Sequence, residues 1–303
     1  MSKANRTDRK SPYHHITEKI LTELRQGVAP WIKPWTAGPV KPHRNAITGH
    51  QYTGINALLT MMAAAANGYT DTRWLTKRQI IELGGGFKGQ SPLWLTFCKP
   101  YQAKEQEGET DQGQRASEKR QRSSGMYLKA FMVWNAQQVT GIDLPEDEPV
   151  EAFTERLEGL EAFIAGTGAT IRHGADRAAY NPTADVIVIP HPSAFDDASQ
   201  YYATLLHELV HWSGSPKRLA RDFSGRFGSQ AYAFEELVAE LGAAFLCAEY
   251  GVPGRLQHSE YIGAWVKVLE SDEKAVVTAA SRAQAAVSFL RGQDAPEDLA
   301  EAA

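Results

Sequence analysis

Residues 201–213 read YYATLLHELVHWS and place His207, Glu208 and His211 in an H-E-x-x-H arrangement. Residues four apart on a helix project from one face, so both imidazoles can bind the same metal ion. Glu208 lies beside them and can take a proton from a water that the metal activates. The pattern predicts a hydrolytic metal site; the alternative is a buried helix with two structural histidines.

Such a site needs a third protein ligand and keeps one position open for water. Residues 232–250 have apolar side chains at helical spacing and present Glu236 and Glu240 four residues apart. We assign Glu236 as the third ligand and Glu240 as the carboxylate that orients a ligating histidine. Glu235 is the rival ligand, since a shift of one residue turns a side chain by about 100° around a helix. The expected cofactor is one divalent metal ion, zinc before manganese.

The two halves of the chain carry opposite net charge. Residues 1–142 hold 20 Lys and Arg against 10 Asp and Glu, a net charge of +10, and residues 143–303 hold 12 against 26, a net charge of −14. Such asymmetry indicates that the N-terminal half meets a polyanion. The prolines and acids of residues 143–150 predict a linker between domains at 1–142 and 151–303.

Both predicted domains mix helices and strands, which predicts an α+β fold. Helices are expected at residues 13–26, 57–67, 153–166 and 260–290, and from Arg73 to the glycines at 84–86. Strands are expected at 93–97, 128–134, 170–173 and 185–190. Residues 104–124 hold no large apolar side chain, so we expect a flexible insertion in the first hairpin. Residues 185–190 should pair with an extended substrate, or else form a fully paired core strand. His258 and Tyr261 are candidates to polarise a carbonyl.

Aromatic and cationic side chains alternate in the N-terminal half, as binding of single strands requires. Bases stack on the rings while cations follow the phosphates, with little dependence on base sequence. The predicted stacking residues are Trp31, Trp35, Tyr52 and Trp74, and the predicted phosphate contacts are Lys33, Lys41, Arg44, Arg73, Lys77 and Arg78. Burial in the core is the alternative for each tryptophan. Duplex DNA is the competing ligand, but nothing resembles a helix-turn-helix or a zinc finger, so readout of its major groove is not supported.

Composition narrows the cellular setting. No apolar run approaches the roughly 18 residues of a membrane span, and the N-terminus lacks the apolar core of a secretory signal. Cys98 and Cys247 are far apart in sequence, which argues against a disulfide framework or a cysteine zinc site. We therefore expect a cytoplasmic protein without a membrane partner.

Several motifs, in order, resemble one family. GVAPWIKPW, HRNAITGHQYTGINALL, YTDTRWLTKRQI and KAFMVWNAQQVTG resemble the N-terminal domain of the ArdC antirestriction family, which is shared with the TraC-type conjugative primases. AAYNPTADVIVIP, YYATLLHELVHWSGSPKRLARDF and YAFEELVAELGAAF resemble its C-terminal metallopeptidase-like domain. The resemblance implies a domain that binds single-stranded DNA joined to a zincin-like domain, encoded on a conjugative plasmid and acting against host restriction.

Two functions remain open at this point. The protein is a peptidase that cuts a protein substrate or a component of the restriction machinery, or it is a single-strand-binding protein whose metal is structural. An intact Glu208 favours a site competent for catalysis, because a structural metal needs no base.

Overall fold

A computed structural model describes residues 11–31, 41–102, 124–145, 153–223, 225–226, 228–253 and 261–293. The N-terminal half contains α1 (Pro12–Leu24), β1 (Arg44–Asn45), α2 (Gly54–Asn67), β2 (Arg73–Thr76), α3 (Lys77–Glu82), β3 (Leu93–Gln102) and β4 (Ser124–Asn135). The C-terminal half contains α4 (Phe153–Gly166), β5 (Thr170–His173), β6 (Ala179–Asn181), β7 (Val186–Ile189), α5 (Ala198–Ser213), α6 (Gln230–Tyr250), α7 (Ile262–Ser271) and α8 (Ala275–Leu290). Within the described ranges, every helix is too short or too polar to span a bilayer.

The N-terminal strands form one mixed sheet in the order β1-β2-β4-β3. One face packs against α2, and there Trp74 and Leu95 join the main hydrophobic core. The opposite face packs against α3, where Leu75, Ile80 and Trp134 form a smaller core. β3 and β4 are antiparallel neighbours, so the predicted hairpin is confirmed. Most of its predicted insertion, and residues 146–150 of the predicted linker, lie outside the described residues.

The prediction that a helix begins at Arg73 is wrong, because the chain stays extended for four residues before α3 begins. A capping box sets this boundary: the Thr76 hydroxyl accepts a hydrogen bond from the Gln79 N–H, and the Gln79 side chain accepts one from the Thr76 N–H. Trp74 and Leu75 therefore lie in β2, where they pair with β4.

In the C-terminal half, a three-stranded sheet in the order β5-β7-β6 lies beside α5. The predicted helix at 153–166 is confirmed, as are the strands at 170–173 and 185–190, whereas the pattern across 260–290 divides at Asp272 into α7 and α8. α5 and α6 pack closely because Gly242 has no side chain: a Cβ there would lie 2.8 Å from Cγ2 of Val210. This approach brings the functional faces of α5 and α6 together.

The two halves share one hydrophobic core, because α1 and α2 pack against α7 and α8. The fully buried ring of Trp31 meets Trp265 edge-on, with the centroids 5.3 Å apart. The Gly54 N–H donates to the side-chain oxygen of Gln284 at 3.2 Å. We call these two contacts the interdomain seam. We propose domain bounds at 1–142 and 151–303 from the sequence, and the interdomain seam joins these two domains.

Replacing Trp31 with Ala should destabilise the full chain by about 3–5 kcal/mol, the usual cost of removing a buried aromatic ring. Urea unfolding followed by far-UV circular dichroism measures the change. Trp94→Ala is the matched control, since Trp94 is 55% exposed and its loss should shift the unfolding free energy by less than about 0.5 kcal/mol. Equal effects of the two substitutions would contradict a core role for Trp31.

Candidate metal centre

The histidine pair lies on α5, which begins at the Asp197 cap, where the carboxylate accepts the Gln200 N–H at 2.9 Å. His207 and His211 are buried one turn apart, and their Nε2 atoms are 3.1 Å from each other. The structure therefore places both imidazoles on one helix face, directed at one point.

Glu236 of α6 completes this group. Its two carboxylate oxygens lie 3.6 Å from the Nε2 of His207 and 3.5 Å from the Nε2 of His211. Within the described residues, these three side chains form a group that can hold a metal ion, with all candidate ligand atoms within 4.8 Å of one another.

The electrostatics of the group fit a cation. Burial opposes ionisation of Glu236, but hydrogen bonds from His207 and His211 hold its pKa well below the usual range. Burial also opposes protonation of His211, but hydrogen bonds to Glu235 and Glu236 raise its pKa to about 10. The cluster thus stabilises a positive charge between its side chains, and a divalent metal ion would supply that charge.

Glu235 lies behind His211 and outside the ligand group. Its Oε1 is 3.2 Å from the Nδ1 of His211, so it can fix the tautomer that directs Nε2 at the metal position. Arg221 holds Glu235 in place, with Nε and Nη2 3.0 and 2.9 Å from its two oxygens. Arg221 can occupy this position because residue 214 is glycine: a Cβ at Gly214 would lie 2.7 Å from the Nη2 of Arg221.

Glu240 lies on the other side of the group. It is fully buried, and its Oε1 is 3.9 Å from the Nδ1 of His207. The three glutamates of α6 are thus arranged around the histidine pair, with Glu236 between the two Nε2 atoms and Glu235 and Glu240 each near one Nδ1.

Glu208 borders a cavity of about 550 Å³ that the metal-binding group also lines. Its Oε2 accepts the backbone N–H of Tyr180 in β6 at 2.7 Å, which fixes the carboxylate in the cavity wall. Tyr232 and Tyr261 line the same cavity with their hydroxyl oxygens 3.0 Å apart. Burial raises the pKa of Tyr232, so its phenol keeps the proton it can donate. His258, the other predicted carbonyl partner, lies outside the described residues.

The prediction that the strand at residues 185–190 pairs with a substrate is wrong, and the alternative of a paired core strand is confirmed. β7 lies between β5 and β6 and is bonded to both, so it has no edge to offer. β6 is an edge of this sheet as far as the structure describes it, and Ala179 and Tyr180 of β6 line the cavity. The edge next to Glu208 is therefore β6.

Most of the predicted DNA contacts that the structure describes are occupied elsewhere. Trp31, Trp74 and Tyr52 are buried, so none of these rings is open to a base; the Trp74 Nε1–H instead donates to the Nδ1 of His43 at 3.0 Å. The guanidinium of Arg73 is bound to the Asp71 carboxylate at 2.7 Å. Large rings stabilise a fold most when buried, and neighbouring cations in sequence do not reveal which rings are buried.

The remaining cations differ in exposure. Lys41 and Arg44 are half-buried, and Arg44 donates to the Thr72 hydroxyl at 3.3 Å. Lys77 and Arg78 are exposed at the start of α3, and the Nε–H of Arg78 donates to the carboxylate of Glu82 one turn later at 2.6 Å. Lys33 and Trp35 lie outside the described residues.

Sequence reasoning missed two features of these surfaces. Trp94 is exposed on β3, and its alternation with buried Leu95 was the signal that could have identified it. Arg221 is the cation that holds Glu235, and no spacing in the sequence relates it to the metal motif.

Two family models match the chain. Residues 10–134 match the N-terminal domain of anti-restriction factor ArdC, and residues 158–282 match a zincin-like metallopeptidase. An uncharacterized protein, y4eC, from Sinorhizobium fredii (strain NBRC 101917 / NGR234) is 36% identical over 289 residues, which cover 93% of this chain and 92% of that protein.

Two DNA primases TraC from Escherichia coli are 37% and 35% identical to the chain. The matches cover 93% and 91% of this chain but only 27% and 19% of the primases, so the chain spans a minor part of their length.

The fold is also similar to solved structures of the antirestriction ArdC protein from the R388 plasmid. The metal-free structure superposes with a TM-score of 0.75 at 34% identity, covering 96% of this chain and 98% of that one. The Mn(II)-bound structure gives a TM-score of 0.72 at 34% identity, with 97% and 100% covered.

Proposed function

The chain belongs to the ArdC antirestriction family, and on that premise we propose that it protects incoming DNA from host restriction by two linked properties. The N-terminal half binds single-stranded DNA, and the C-terminal half carries a metal-dependent peptidase site. Each property rests on a different surface of the chain.

The observation that carries the peptidase proposal is a group of three ligands beside a cavity. A structural zinc site is closed by four protein ligands, whereas a catalytic site has three and leaves a position for water. Here the three are His207, His211 and Glu236, and the cavity lies on their open side. The donor set suits zinc, and the Mn(II)-bound R388 protein supports a divalent metal in this family without choosing between zinc and manganese.

A divalent metal held by His207, His211 and Glu236 would supply an activated water for attack on a peptide carbonyl. Glu208 takes the proton of the attacking water and passes it to the leaving amine. One hydroxyl of the hydrogen-bonded pair Tyr232 and Tyr261 donates a hydrogen bond to the oxygen of the scissile carbonyl as it gains charge. An extended peptide would lie along β6, whose Tyr180 N–H already holds Glu208.

The substrate of this site is protein in our proposal. The C-terminal half carries a net charge of −14, which repels the phosphates of a nucleic acid. DNA bound to the N-terminal half would therefore act as a tether that localises the protein. The protein that is cut is a component of the restriction machinery or another host protein.

The single-strand-binding proposal rests on the net charge of +10 in residues 1–142 and on cations such as Lys77 and Arg78 that are exposed on α3. A protein that neutralises phosphates releases their counterions. The logarithm of its binding constant therefore falls linearly with the logarithm of the salt concentration, with a slope of about −0.7 for each phosphate neutralised on a single strand.

We therefore expect the full chain to bind a fluorescein-labelled oligothymidine with an affinity that falls steeply as salt rises from roughly 50 to 500 mM. Fluorescence anisotropy gives the dissociation constants, and the same titration with a labelled duplex measures strand preference. An affinity that does not change with salt, or a clear preference for the duplex, would contradict the proposal.

A further inference from the structure

Exposed apolar side chains are concentrated in the N-terminal half. Within the described residues, the large apolar side chains that face solvent are Ile47, Ile81, Leu83, Trp94 and Phe97. Of the six described tryptophans, Trp94 is 55% exposed and the other five are at most 8% exposed. A ring of this size is mostly buried in folded proteins, so Trp94 stands apart from the other tryptophans.

The exposed ring of Trp94 is held on a strand of the N-terminal sheet. It lies on β3, an edge strand of the N-terminal sheet within the described residues, directly opposite Met132 of β4. Because side chains alternate along a strand, both residues share the sheet face that carries Trp134, whereas Leu95 points into the main core on the other face.

The same face of the sheet is covered by elements that carry exposed cations. α3 packs there through Ile80, and the segment after α3 packs there through Phe87, whose ring centroid is 4.4 Å from that of Trp134. Lys77 and Arg78 on α3, and Lys88 next to Phe87, are exposed, and the ion pair between Arg78 and Glu82 is itself open to solvent, so a phosphate can compete for the guanidinium. An exposed ring on the sheet face that also carries these cations fits a ligand that offers both flat bases and phosphates.

We propose that Trp94 is a stacking platform for a base of single-stranded DNA, with Lys77, Arg78 and Lys88 contacting the neighbouring phosphates. This inference rests on the proposed binding of single strands, and it moves the stacking role from the buried rings of Trp31 and Trp74 to a ring that a base can reach. A purely apolar partner or a second copy of the chain would not require these cations.

The test is Trp94→Ala in the full chain, titrated with fluorescein-labelled oligothymidine. Loss of one stacked base should weaken binding about 5- to 150-fold, while Trp94→Phe should retain most of the affinity. Ile81→Ala and Phe97→Ala are matched controls: Ile81 is 58% exposed but cannot stack, and Phe97 is 36% exposed on the opposite face. Both controls should bind like the wild type, and all variants should keep the unfolding midpoint of the wild type.

Three results would overturn the inference. Trp94→Ala could bind the oligonucleotide as tightly as the wild type, or the two controls could weaken binding as much as Trp94→Ala does. A wild-type dimer in sedimentation analysis that Trp94→Ala dissociates would assign the ring to self-association. If the wild type itself does not bind single strands, the proposed function fails as well; if it binds with the expected salt dependence and Trp94→Ala has no effect, only the role of Trp94 fails.

Discussion

Glu208→Gln should lower peptide-bond cleavage by about two to four orders of magnitude, the usual contribution of a positioned general base. Glutamine matches the size of glutamate, and its side-chain oxygen can still accept the Tyr180 N–H that glutamate accepts at 2.7 Å. It cannot take a proton from the attacking water. The change therefore removes the proton transfer while preserving the fold and the metal-binding group.

Cleavage of casein by the metal-loaded full chain, measured as release of acid-soluble peptides, reads out this change. Glu158→Gln is the matched control, since Glu158 is exposed on α4 and lies outside the cavity lining. Metal content and affinity for oligothymidine should be equal in the wild type and both variants. Cleavage by Glu208→Gln at the wild-type rate would remove Glu208 from the chemistry.

The same variant separates the two functions that the sequence left open. If Glu208→Gln protects DNA against restriction as well as the wild type does, peptidase chemistry is dispensable for protection. Binding and occlusion of single strands would then account for the proposed antirestriction role, and the metal would be structural. Loss of protection with full DNA binding would assign protection to the peptidase site.

Removing any one ligand should abolish tight metal binding. We expect His207→Ala, His211→Ala and Glu236→Ala to lose the divalent ion during dialysis, because two remaining ligands hold a metal poorly. Glu235→Gln should keep the ion with about 10- to 100-fold lower affinity, since Glu235 orients His211 without touching the metal position. Atomic emission after dialysis against zinc or manganese measures both content and preference.

Comparison of Glu235 with Glu236 is the sharpest part of that experiment. Both are buried carboxylates on one helix, and both contact His211. They differ in which nitrogen they approach: Glu235 lies at Nδ1, and Glu236 lies at Nε2. Retention of metal in Glu236→Ala together with its loss in Glu235→Gln would make Glu235 the metal ligand and Glu236 the residue that orients His211.

Local patterns were enough to predict which side chains the structure groups at the candidate metal centre, because these residues lie on two helices with strong periodicity. The four-residue spacing of His207 and His211 fixed their common face, and the spacing in α6 narrowed the third ligand to two glutamates. The choice between Glu235 and Glu236 depends on the rotation of α6 against α5. That rotation is set by the packing of the two helices, which approach closely at Gly242.

Long-range arrangement explains what the sequence did not predict. The order β5-β7-β6 places β7 in the centre of its sheet, and no local pattern in residues 185–190 encodes that order. The tryptophans show the same limit. Trp31 and Trp74 have cations nearby in sequence and Trp94 lies between two leucines, yet the first two rings are buried and the third is exposed, so the sequence neighbours of a tryptophan do not decide its burial.

The interdomain seam has a consequence for how such genes recombine. A crossover in the segment between the two domains would join a Trp31 from one parent to a Trp265 environment from another, and a mismatch there would leave a cavity or a clash in a shared core. Chimeras joined at this point should therefore be less stable than either parent. The TraC primases carry both halves together, since the match spans 93% of this chain inside a much longer protein. We therefore expect the two halves to be inherited together.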